Sequence, residues 1–284
     1  MKLEKIMVIG SGQMGNGIAQ VSAQAGYDVI LNDMKLEFAE KGLANIEKNL
    51  SRDVEKGRKT EEEKQSVLNR ITLSSDKQDA ANCQLIIEAA VENLTIKQAI
   101  FKELDGIVSK DVILSTNTSS LPITDLAAVV SHPERFIGMH FMNPVPVMKL
   151  VEIIRGIQTN DAVYQTIHDL SIEMNKVPVE VNDSYGFVSN RVLMPMINEA
   201  AFTLYQSVAT AEAIDQVMEL GMNHPMGPLK LADMIGLDTC LSIMQVLYDG
   251  FNDPKYRPCP LLKKYVAAGY LGKKSGRGFY TYDS

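Results

Sequence analysis

A glycine-rich run between two strand-like segments is the feature that most constrains the fold of this chain. The run Gly10–Gly15 has the spacing Gly-x-Gly-x-x-Gly and directly follows the apolar segment Lys5–Ile9. A helical pattern over Met14–Ala25 and a second apolar segment, Asp28–Asn32, come next, and Asp33 closes the unit. This order predicts a strand–turn–helix–strand unit that binds a dinucleotide.

Each part of this unit has a physical role. Gly10 allows the tight turn, Gly12 lets the backbone approach a pyrophosphate, and Gly15 lets the helix pack closely on the strand. The N–H groups at the start of the helix, around Gln13 and Met14, are expected to face the phosphates. The alternative is a glycine-rich turn in an ordinary α/β protein, and the spacing does not distinguish a nicotinamide from a flavin dinucleotide.

Asp33 bears on which dinucleotide binds. It lies 18 positions after Gly15, where a carboxylate accepts hydrogen bonds from the hydroxyl groups of the adenine ribose. Because a carboxylate repels a 2′-phosphate, the sequence favours NAD over NADP. NADP stays an alternative, since Lys35 lies close enough to Asp33 to offset part of that repulsion.

The first part of the chain alternates strand-like and helical segments. This alternation predicts an α/β fold with a Rossmann-type, doubly wound, mostly parallel sheet and helices on both faces. We expect it to form a dinucleotide-binding domain over 1–184. Besides the two strands that flank the glycine run, the predicted strands are Ile71–Ser74, Leu85–Ala89, Val112–Thr116, Arg135–Met139, Leu150–Ile154 and Val177–Val181.

Helical spacing replaces the strand signals in the second part and predicts an all-helical domain over 185–284. A long helix is also expected over 35–57, and the pairs Thr60 with Glu63 and Thr95 with Gln98 form capping-box patterns at two further helix starts. The helices expected in the second part are Phe187–Gln206, kinked by Pro195, Ala211–Leu220, Leu229–Met244 and Leu261–Ala268.

Composition narrows the classes of partner. The chain has 284 residues and a formal net charge of -7, which argues against a general nucleic-acid binder because such a protein needs a basic face. Three scattered cysteines argue against a disulfide framework or a structural zinc site, and no apolar stretch has the length of a membrane span. The expected strand at Lys5–Ile9 leaves no room for a signal peptide, so we expect a soluble cytoplasmic protein.

Three polar residues are candidates for acid–base chemistry. His140 follows the predicted strand Arg135–Met139, and Ser119 follows another strand end, so both are expected near the crevice outside the carboxyl ends of the strands. Glu152 lies within an apolar strand, where a carboxylate needs a partner, and a histidine is a natural one. A capping serine, a core histidine and a solvated glutamate are the alternatives.

Four motifs together resemble those of the L-3-hydroxyacyl-CoA dehydrogenases. They are STNTS at Ser115–Ser119, HFMNPVPVMKLVE at His140–Glu152, DSYGFVSNR at Asp183–Arg191 and KKSGRGFY at Lys273–Tyr280. The resemblance covers essentially the whole chain, in order. In size the chain is most similar to the free-standing bacterial members that act on 3-hydroxybutyryl-CoA.

The resemblance implies hydride transfer between NAD(H) and an acyl-CoA, with (S)-3-hydroxybutyryl-CoA and acetoacetyl-CoA as the pair that interconverts. His140 would move the hydroxyl proton, and Glu152 would orient its imidazole. Ser119 and Asn190 would hydrogen-bond the reacting oxygen or the thioester. The family also implies a homodimer through the C-terminal domain. The further dinucleotide contacts that it implies are Glu92, Lys97, Asn117, Ser119, Asn143 and Lys274.

The densest basic stretch of the chain bears on the CoA. Lys48, Arg52 and Lys56 recur every four residues, which places them on one face of the long helix. This face suits the phosphates of a CoA, although Asn49 stands where some family members have a serine toward the CoA. A solvated helix face is the alternative.

Two other functions stay open. One is a CoA-independent hydroxyacid dehydrogenase of the same two-domain type, such as an L-gulonate dehydrogenase. The other is a non-catalytic protein that binds NAD. The basic helix face favours a CoA substrate, and the presence together of Ser119, His140 and Glu152 with Asn190 speaks against a non-catalytic role.

Overall fold

A computed structural model of the chain describes residues 2–282. The chain packs into two compact units, Met1–Ser184 and Tyr185–Ser284. The first unit contains one eight-stranded sheet. Its strands are β1 Lys5–Ile9, β2 Asp28–Asn32, β3 Ile71–Ser74, β4 Leu85–Glu88, β5 Ile113–Thr116, β6 Phe136–Phe141, β7 Leu150–Arg155 and β8 Val177–Asn182.

Six helices connect these strands. The longest is the second, whose 20 residues span about 30 Å. The helices are α1 Gln13–Gln24, α2 Leu36–Glu55, α3 Glu61–Asn69, α4 Leu94–Asp105, α5 Ile123–Ala127 and α6 Asp161–Glu173.

The sheet order is β3-β2-β1-β4-β5-β6-β7-β8. All neighbouring strands are parallel except β6 and β7, which are antiparallel. The chain moves outward from β1 to β3 and then returns to the other side of β1 at β4. This reversal creates a crevice at the carboxyl ends of β1 and β4, the place where doubly wound sheets bind ligands. The predicted Rossmann-type sheet is therefore confirmed.

Apolar side chains on both faces of the central strands hold this sheet in place. Ile6 and Val8 of β1 join one core cluster with Ile18 of α1 and Ile46 of α2. Met7, which alternates with them, is also fully buried. A strand that is buried on both faces is typical of a parallel sheet covered by helices.

The sixth strand differs from its predicted range. It runs over Phe136–Phe141 rather than Arg135–Met139, because Arg135 ends a short 3-10 turn and the ladder with β7 continues to Phe141. Strand ends are set by cross-strand hydrogen bonds, which a single apolar run does not reveal. His140 consequently lies inside the strand and not after it.

One of the two predicted capping boxes is confirmed and the other is wrong. Thr60 Oγ1 accepts a hydrogen bond from Glu63 N at 3.1 Å, and Glu63 Oε2 accepts one from Thr60 N at 2.7 Å. The predicted box at Thr95 does not form, because α4 begins earlier, at Leu94. Asn93 Oδ1 caps it by accepting from the backbone N–H three residues later, and asparagine is a strong cap in its own right.

The second unit is entirely helical apart from isolated bridges near its end. The predicted helix Leu229–Met244 is wrong: Gly236, with φ of 105°, interrupts it, and the two resulting helices meet at 99°. The predicted helix Ala211–Leu220 is α-helical only as far as Gln216 and continues as a π turn. The helices are α7 Ser189–Tyr205, α8 Ala211–Gln216, α9 Pro228–Ile235, α10 Leu237–Phe251 and α11 Pro260–Ala267.

Among residues 2–282, no helix taken singly has the length and apolar character needed to cross a bilayer. The bent pair α9 and α10 meets the same criteria of length and composition when the two are taken together.

Candidate active site

The three glycines of the turn that follows β1 have different steric surroundings. Gly10 has φ of 94°, and a Cβ atom on it would lie 2.7 Å from the carbonyl oxygen of Ala89. A Cβ atom on Gly15 would lie 1.6 Å from the carbonyl oxygen of Gly10. A Cβ atom on Gly12 would meet nothing within 4 Å. The first two glycines are therefore needed by the fold, whereas the space beside Gly12 is open to a ligand.

The start of α1 lies at this open space. Gly12 is the N-cap residue, no side chain caps the helix, and its first turn carries no acidic residue. The N–H groups of the first turn and the positive end of the helix dipole therefore suit a bound anion. Gln13 lines the cavity beside Gly12, while Met14 packs against the core. This turn fits the pyrophosphate of a dinucleotide.

Asp33 borders the same space. Its Oδ2 atom accepts hydrogen bonds from Ser11 N at 2.8 Å and from Ser11 Oγ at 2.7 Å, and its Oδ1 atom accepts one from Met34 N at 2.7 Å. These bonds fix the carboxylate at the end of β2, on a cavity of about 570 Å³ that Gly12 also lines. A carboxylate held there suits the hydroxyl groups of a ribose.

The basic face of α2 forms another wall of this cavity. Lys48 and Arg52 line it together with Asn49. Lys56 is the C-cap residue of α2 and does not line that cavity. The structure thus brings two of the three predicted basic residues to the dinucleotide turn and leaves the third at the end of the helix.

His140 and Glu152 form a buried pair. The register of the antiparallel ladder places them directly opposite each other on β6 and β7. The distance from His140 Nδ1 to Glu152 Oε2 is 2.7 Å, and the two side chains are 9% and 3% exposed. The histidine is therefore the partner that the sequence suggested for this carboxylate.

Glu92 organises the loop that follows β5. Its Oε1 atom accepts hydrogen bonds from Ser119 N at 2.8 Å, from Ser119 Oγ at 3.2 Å and from Thr118 Oγ1 at 2.6 Å. Burial acts to raise the pKa of Glu92, but the Lys97 ammonium and the bonds from Thr118 and Ser119 outweigh it and hold the pKa below its usual range. Asn117, at the start of this loop, accepts a bond from Phe141 N at 2.9 Å through its side-chain oxygen. That bond ties the loop to β6, the strand of His140.

Lys97 lies inside the first unit. Its side chain is 1% exposed, and its Nζ atom lies 2.7 Å from Glu88 Oε1 and 3.5 Å from Glu92 Oε2. It also donates to the carbonyl oxygen of Ala90 at 3.2 Å. Its ammonium is thus held by protein oxygens. Sequence reasoning missed Glu88, since a carboxylate at the end of an apolar strand gives no sign of which cation it meets.

Lys176 anchors the loop between β6 and β7, which is the loop that carries Asn143. Lys176 Nζ donates to the carbonyl oxygens of Met148, at 2.8 Å, and of Val145. Val145 is buried, and a Cβ atom on Gly17 of α1 would lie 2.8 Å from its Cβ atom. Sequence reasoning missed Lys176, which ties this loop to the start of β8.

Asn190 and Lys274 belong to the second unit. Asn190 is a buried residue in the first turn of α7. Lys274 Nζ lies 2.6 Å from Asp238 Oδ1 at the start of α10. Gly236 leaves room for this ion pair, because a Cβ atom there would lie 3.0 Å from both Lys274 Nζ and Asp238 Oδ1.

Comparisons with known proteins give a consistent result. The family model for the NAD binding domain of 3-hydroxyacyl-CoA dehydrogenase matches residues 5–184, and the model for the C-terminal domain of 3-hydroxyacyl-CoA dehydrogenase matches residues 186–282. A probable 3-hydroxybutyryl-CoA dehydrogenase of Bacillus subtilis is 59% identical over 283 residues, covering 100% of this chain and 99% of that protein. The human mitochondrial hydroxyacyl-coenzyme A dehydrogenase is 40% identical, covering 99% of this chain and 91% of that protein.

A solved structure adds a comparison at the level of the fold. The crystal structure of the (S)-3-hydroxybutyryl-CoA dehydrogenase PaaH1 of Ralstonia eutropha matches with a TM-score of 0.97 and 50% identity, covering 100% of both chains. Because two family models match residues 5–184 and 186–282, and the Bacillus subtilis relative is 59% identical over 99% of its length, the chain belongs to the NAD-dependent 3-hydroxyacyl-CoA dehydrogenases.

Proposed function

We propose that the chain interconverts (S)-3-hydroxybutyryl-CoA and acetoacetyl-CoA with NAD(H). The observation that carries the proposal is the buried pair of His140 and Glu152, with 2.7 Å between Nδ1 and Oε2. Alcohol–ketone interconversion requires an acid–base group, and a histidine oriented by a carboxylate can serve as one. The names of the Bacillus subtilis and Ralstonia eutropha relatives support this acyl-CoA in particular.

The chemistry divides between the cofactor and the chain. When bound, NAD supplies the hydride chemistry at carbon 3 of the substrate. His140 takes the hydroxyl proton in the oxidative direction and returns it in the reductive one. Because Nδ1 faces Glu152, Nε2 is the ring nitrogen that exchanges this proton. Glu152 orients the ring and balances the positive charge that it gains.

Two further residues hold the substrate in this proposal. Ser119 hydrogen-bonds the reacting oxygen, and its bonds to Glu92 fix the loop that carries it. We assign Asn190 a second contact to the reacting oxygen or the thioester, on the strength of the family motif at Asp183–Arg191. Donors aimed at the oxygen stabilise the charge that develops on it during the reaction.

The dinucleotide is assigned to the glycine turn and the groups around it, and the CoA to the basic residues of α2 and its C-terminal end. Gly10–Gly15 holds the pyrophosphate, and Asp33 accepts from the adenine ribose, which favours NAD over NADP. Glu92, Asn117, Asn143 and Lys274 are assigned to the dinucleotide by family analogy, as is Lys97, although its buried ammonium already meets three protein oxygens. Lys48, Arg52 and Lys56 are assigned to the CoA phosphates. We also propose that the enzyme works in the cytoplasm.

The proposal is tested by following the oxidation of NADH by its absorbance, with acetoacetyl-CoA as substrate. We expect turnover with NADH to exceed turnover with NADPH, because Asp33 repels a 2′-phosphate. Free 3-hydroxybutyrate and L-gulonate, assayed with NAD, serve as competing substrates. Faster turnover of either free acid than of the CoA pair would overturn the assignment to an acyl-CoA.

The acid–base assignment has its own test. His140→Ala is expected to lower kcat by about 10²–10⁴-fold while NADH still binds, since the glycine turn is unchanged. His168→Ala is the matched control, because His168 lies on α6 and contacts Asp169 at the surface. Equal turnover by His140→Ala and the control would contradict the assigned base.

A further inference from the structure

Three charged side chains, those of Glu88, Lys97 and Glu92, form a connected network behind the loop of Ser119. Glu88, the last residue of β4, is fully buried and lies 2.7 Å from Lys97 Nζ. Lys97 in turn lies 3.5 Å from Glu92 Oε2. The other oxygen of Glu92 accepts from the backbone and the side chain of Ser119. This network therefore runs from the sheet interior to Ser119, which the proposed function places at the reacting oxygen.

Glu88 has a complete set of partners. Its Oε1 atom accepts from Lys97 Nζ and from Ala90 N at 2.6 Å, and its Oε2 atom accepts from Thr116 Oγ1 at 2.7 Å. A carboxylate and an ammonium in this position lose their hydration, and well-packed apolar residues often replace such a pair without loss of stability. The fully bonded pair therefore contributes by fixing the positions of the neighbouring groups and not by adding stability.

We propose that Glu88 and Lys97 are positioning residues that hold Glu92 as an ionised acceptor for Ser119. Lys97 cannot move toward solvent without breaking its bond to Glu88, so its charge is fixed beside Glu92. Glu92 then fixes Ser119 N and Ser119 Oγ together. This inference rests on the proposed function, because it gives importance to the position of Ser119.

The electrostatics of Glu92 support this assignment. The groups that face Glu92 are Lys97 from α4, with Glu88 of β4 behind it, and the hydroxyl and amide groups of the loop after β5. Burial favours the protonated carboxyl, but the Lys97 charge and the hydrogen bonds outweigh it, so that the pKa of Glu92 lies below its ordinary value. Removing Lys97 therefore raises the pKa of Glu92, and the carboxylate is lost at a higher pH.

The double variant Glu88→Gln/Lys97→Met tests the pair, because it removes both charges and leaves neither partner buried alone. We expect a folded protein in which kcat falls by about tenfold or more, since Ser119 is no longer held in place. KM for acetoacetyl-CoA should stay within about twofold, because the basic face of α2 is unchanged. The acidic limb of the profile of kcat against pH should move upward by about one pH unit.

A matched control removes the same two charges from the surface. Lys77 and Glu103 form an exposed pair with 2.7 Å between Nζ and Oε2, and Glu103 lies on the same helix as Lys97. Lys77→Met/Glu103→Gln should keep the kcat and the pH profile of the unmodified enzyme. If the buried double variant does not fold, Lys97→Met alone replaces it, because it removes the charge that lies beside Glu92.

The origin of the pH shift is tested by adding Glu92→Gln to the double variant. The shift should disappear, because position 92 no longer titrates. A double variant with the kcat and the acidic limb of the unmodified enzyme would overturn the positioning role. An unmodified enzyme that does not reduce acetoacetyl-CoA would overturn the proposed function instead. The same variants, measured with the hydroxy or oxo substrate that it does accept, then still test the pair.

Discussion

At the scale of single residues, the glycine turn separates what the fold needs from what a ligand needs. Gly12 has φ of -61° and ψ of -168°, values that alanine adopts without strain, and a methyl group there meets no protein atom within 4 Å. Gly15 is different, because its methyl group would collide with the carbonyl oxygen of Gly10. The same substitution, glycine to alanine, should therefore affect ligand binding at position 12 and the stability of the fold at position 15.

We expect Gly12→Ala to change the free energy of unfolding by less than about 0.5 kcal/mol. It should weaken NADH binding by about an order of magnitude, because the methyl group occupies the space through which the pyrophosphate approaches the backbone. Gly15→Ala should lower the free energy of unfolding by about 1–3 kcal/mol or more. Thermal unfolding and titration of NADH fluorescence measure the two effects, and tight NADH binding by Gly12→Ala would contradict this assignment of the turn.

The residues of the site differ in how well the sequence predicted them. His140 and Glu152 were expected to meet because a carboxylate in an apolar strand needs a partner, and the register of β6 and β7 brings them together. Glu88 and Lys97 were not expected to meet. Glu88 ends β4 and Lys97 lies on α4, nine residues later. The sequence does not show that α4 turns the lysine side chain inward over the end of β4.

At the scale of elements, α2 combines a structural face and a basic face. Its buried residues include Gly42, Ile46 and Leu50, which recur at helical spacing and pack toward the core. The opposite face carries Lys48 and Arg52 into the cavity beside the glycine turn. The spacing of four residues places Lys48 and Arg52 on one face, because helix geometry fixes it. Lys56, the third residue of the predicted face, is the C-cap of α2 and does not line the cavity.

We expect Arg52→Gln and Lys56→Gln each to raise KM for acetoacetyl-CoA by about 3- to 10-fold, the effect of losing one exposed contact to a phosphate. The dissociation constant for NADH should not change, because Gly10–Gly15 and Asp33 are intact. Lys102→Gln, which removes one exposed charge from α4, is the control. Steady-state kinetics at fixed ionic strength measure both constants, and an unchanged KM in both variants would remove α2 from the CoA site.

Errors in the predicted elements have a common cause. The helix expected over Leu229–Met244 is interrupted at Gly236, where φ is positive, although the apolar spacing continues across it. The N-cap of α4 is Asn93 and not Thr95, because two residues suited to capping lie within three positions of each other. Periodicity locates an element, but its ends depend on backbone angles and caps that several neighbouring residues satisfy equally well.

At the scale of the whole molecule, the alternation of strands and helices predicted the topology of the sheet. Parallel neighbours require crossover connections, and doubly wound sheets reverse their order beside the first strand. The antiparallel pairing of β6 and β7 was not predicted. Two strands with no helix between them can also be connected by a longer loop that leaves them parallel. This one reversal places His140 opposite Glu152, so the least predictable connection of the sheet builds the acid–base pair.

The distribution of exposed apolar side chains bears on the assembly of the molecule. Within the described residues 2–282, the second unit, Tyr185–Ser284, exposes nine large apolar side chains, whereas the larger first unit, Met1–Ser184, exposes ten. The density on the second unit is therefore higher by about two thirds. Apolar side chains that a single chain exposes are the kind of surface that an interface between two chains buries. We accordingly propose a homodimer that forms through the second unit.

This proposal predicts a solution mass of twice 31.4 kDa by light scattering. Val192 on α7 and Leu220 are 68% and 84% exposed, and Val192→Asp/Leu220→Asp should shift the protein toward the monomer, because a charge buried in an interface loses its hydration. Val91→Asp/Ile157→Asp is the matched control, since these side chains of the first unit are 63% and 84% exposed. A monomeric unmodified protein, or dissociation of the control variant alone, would exclude the second unit as the interface.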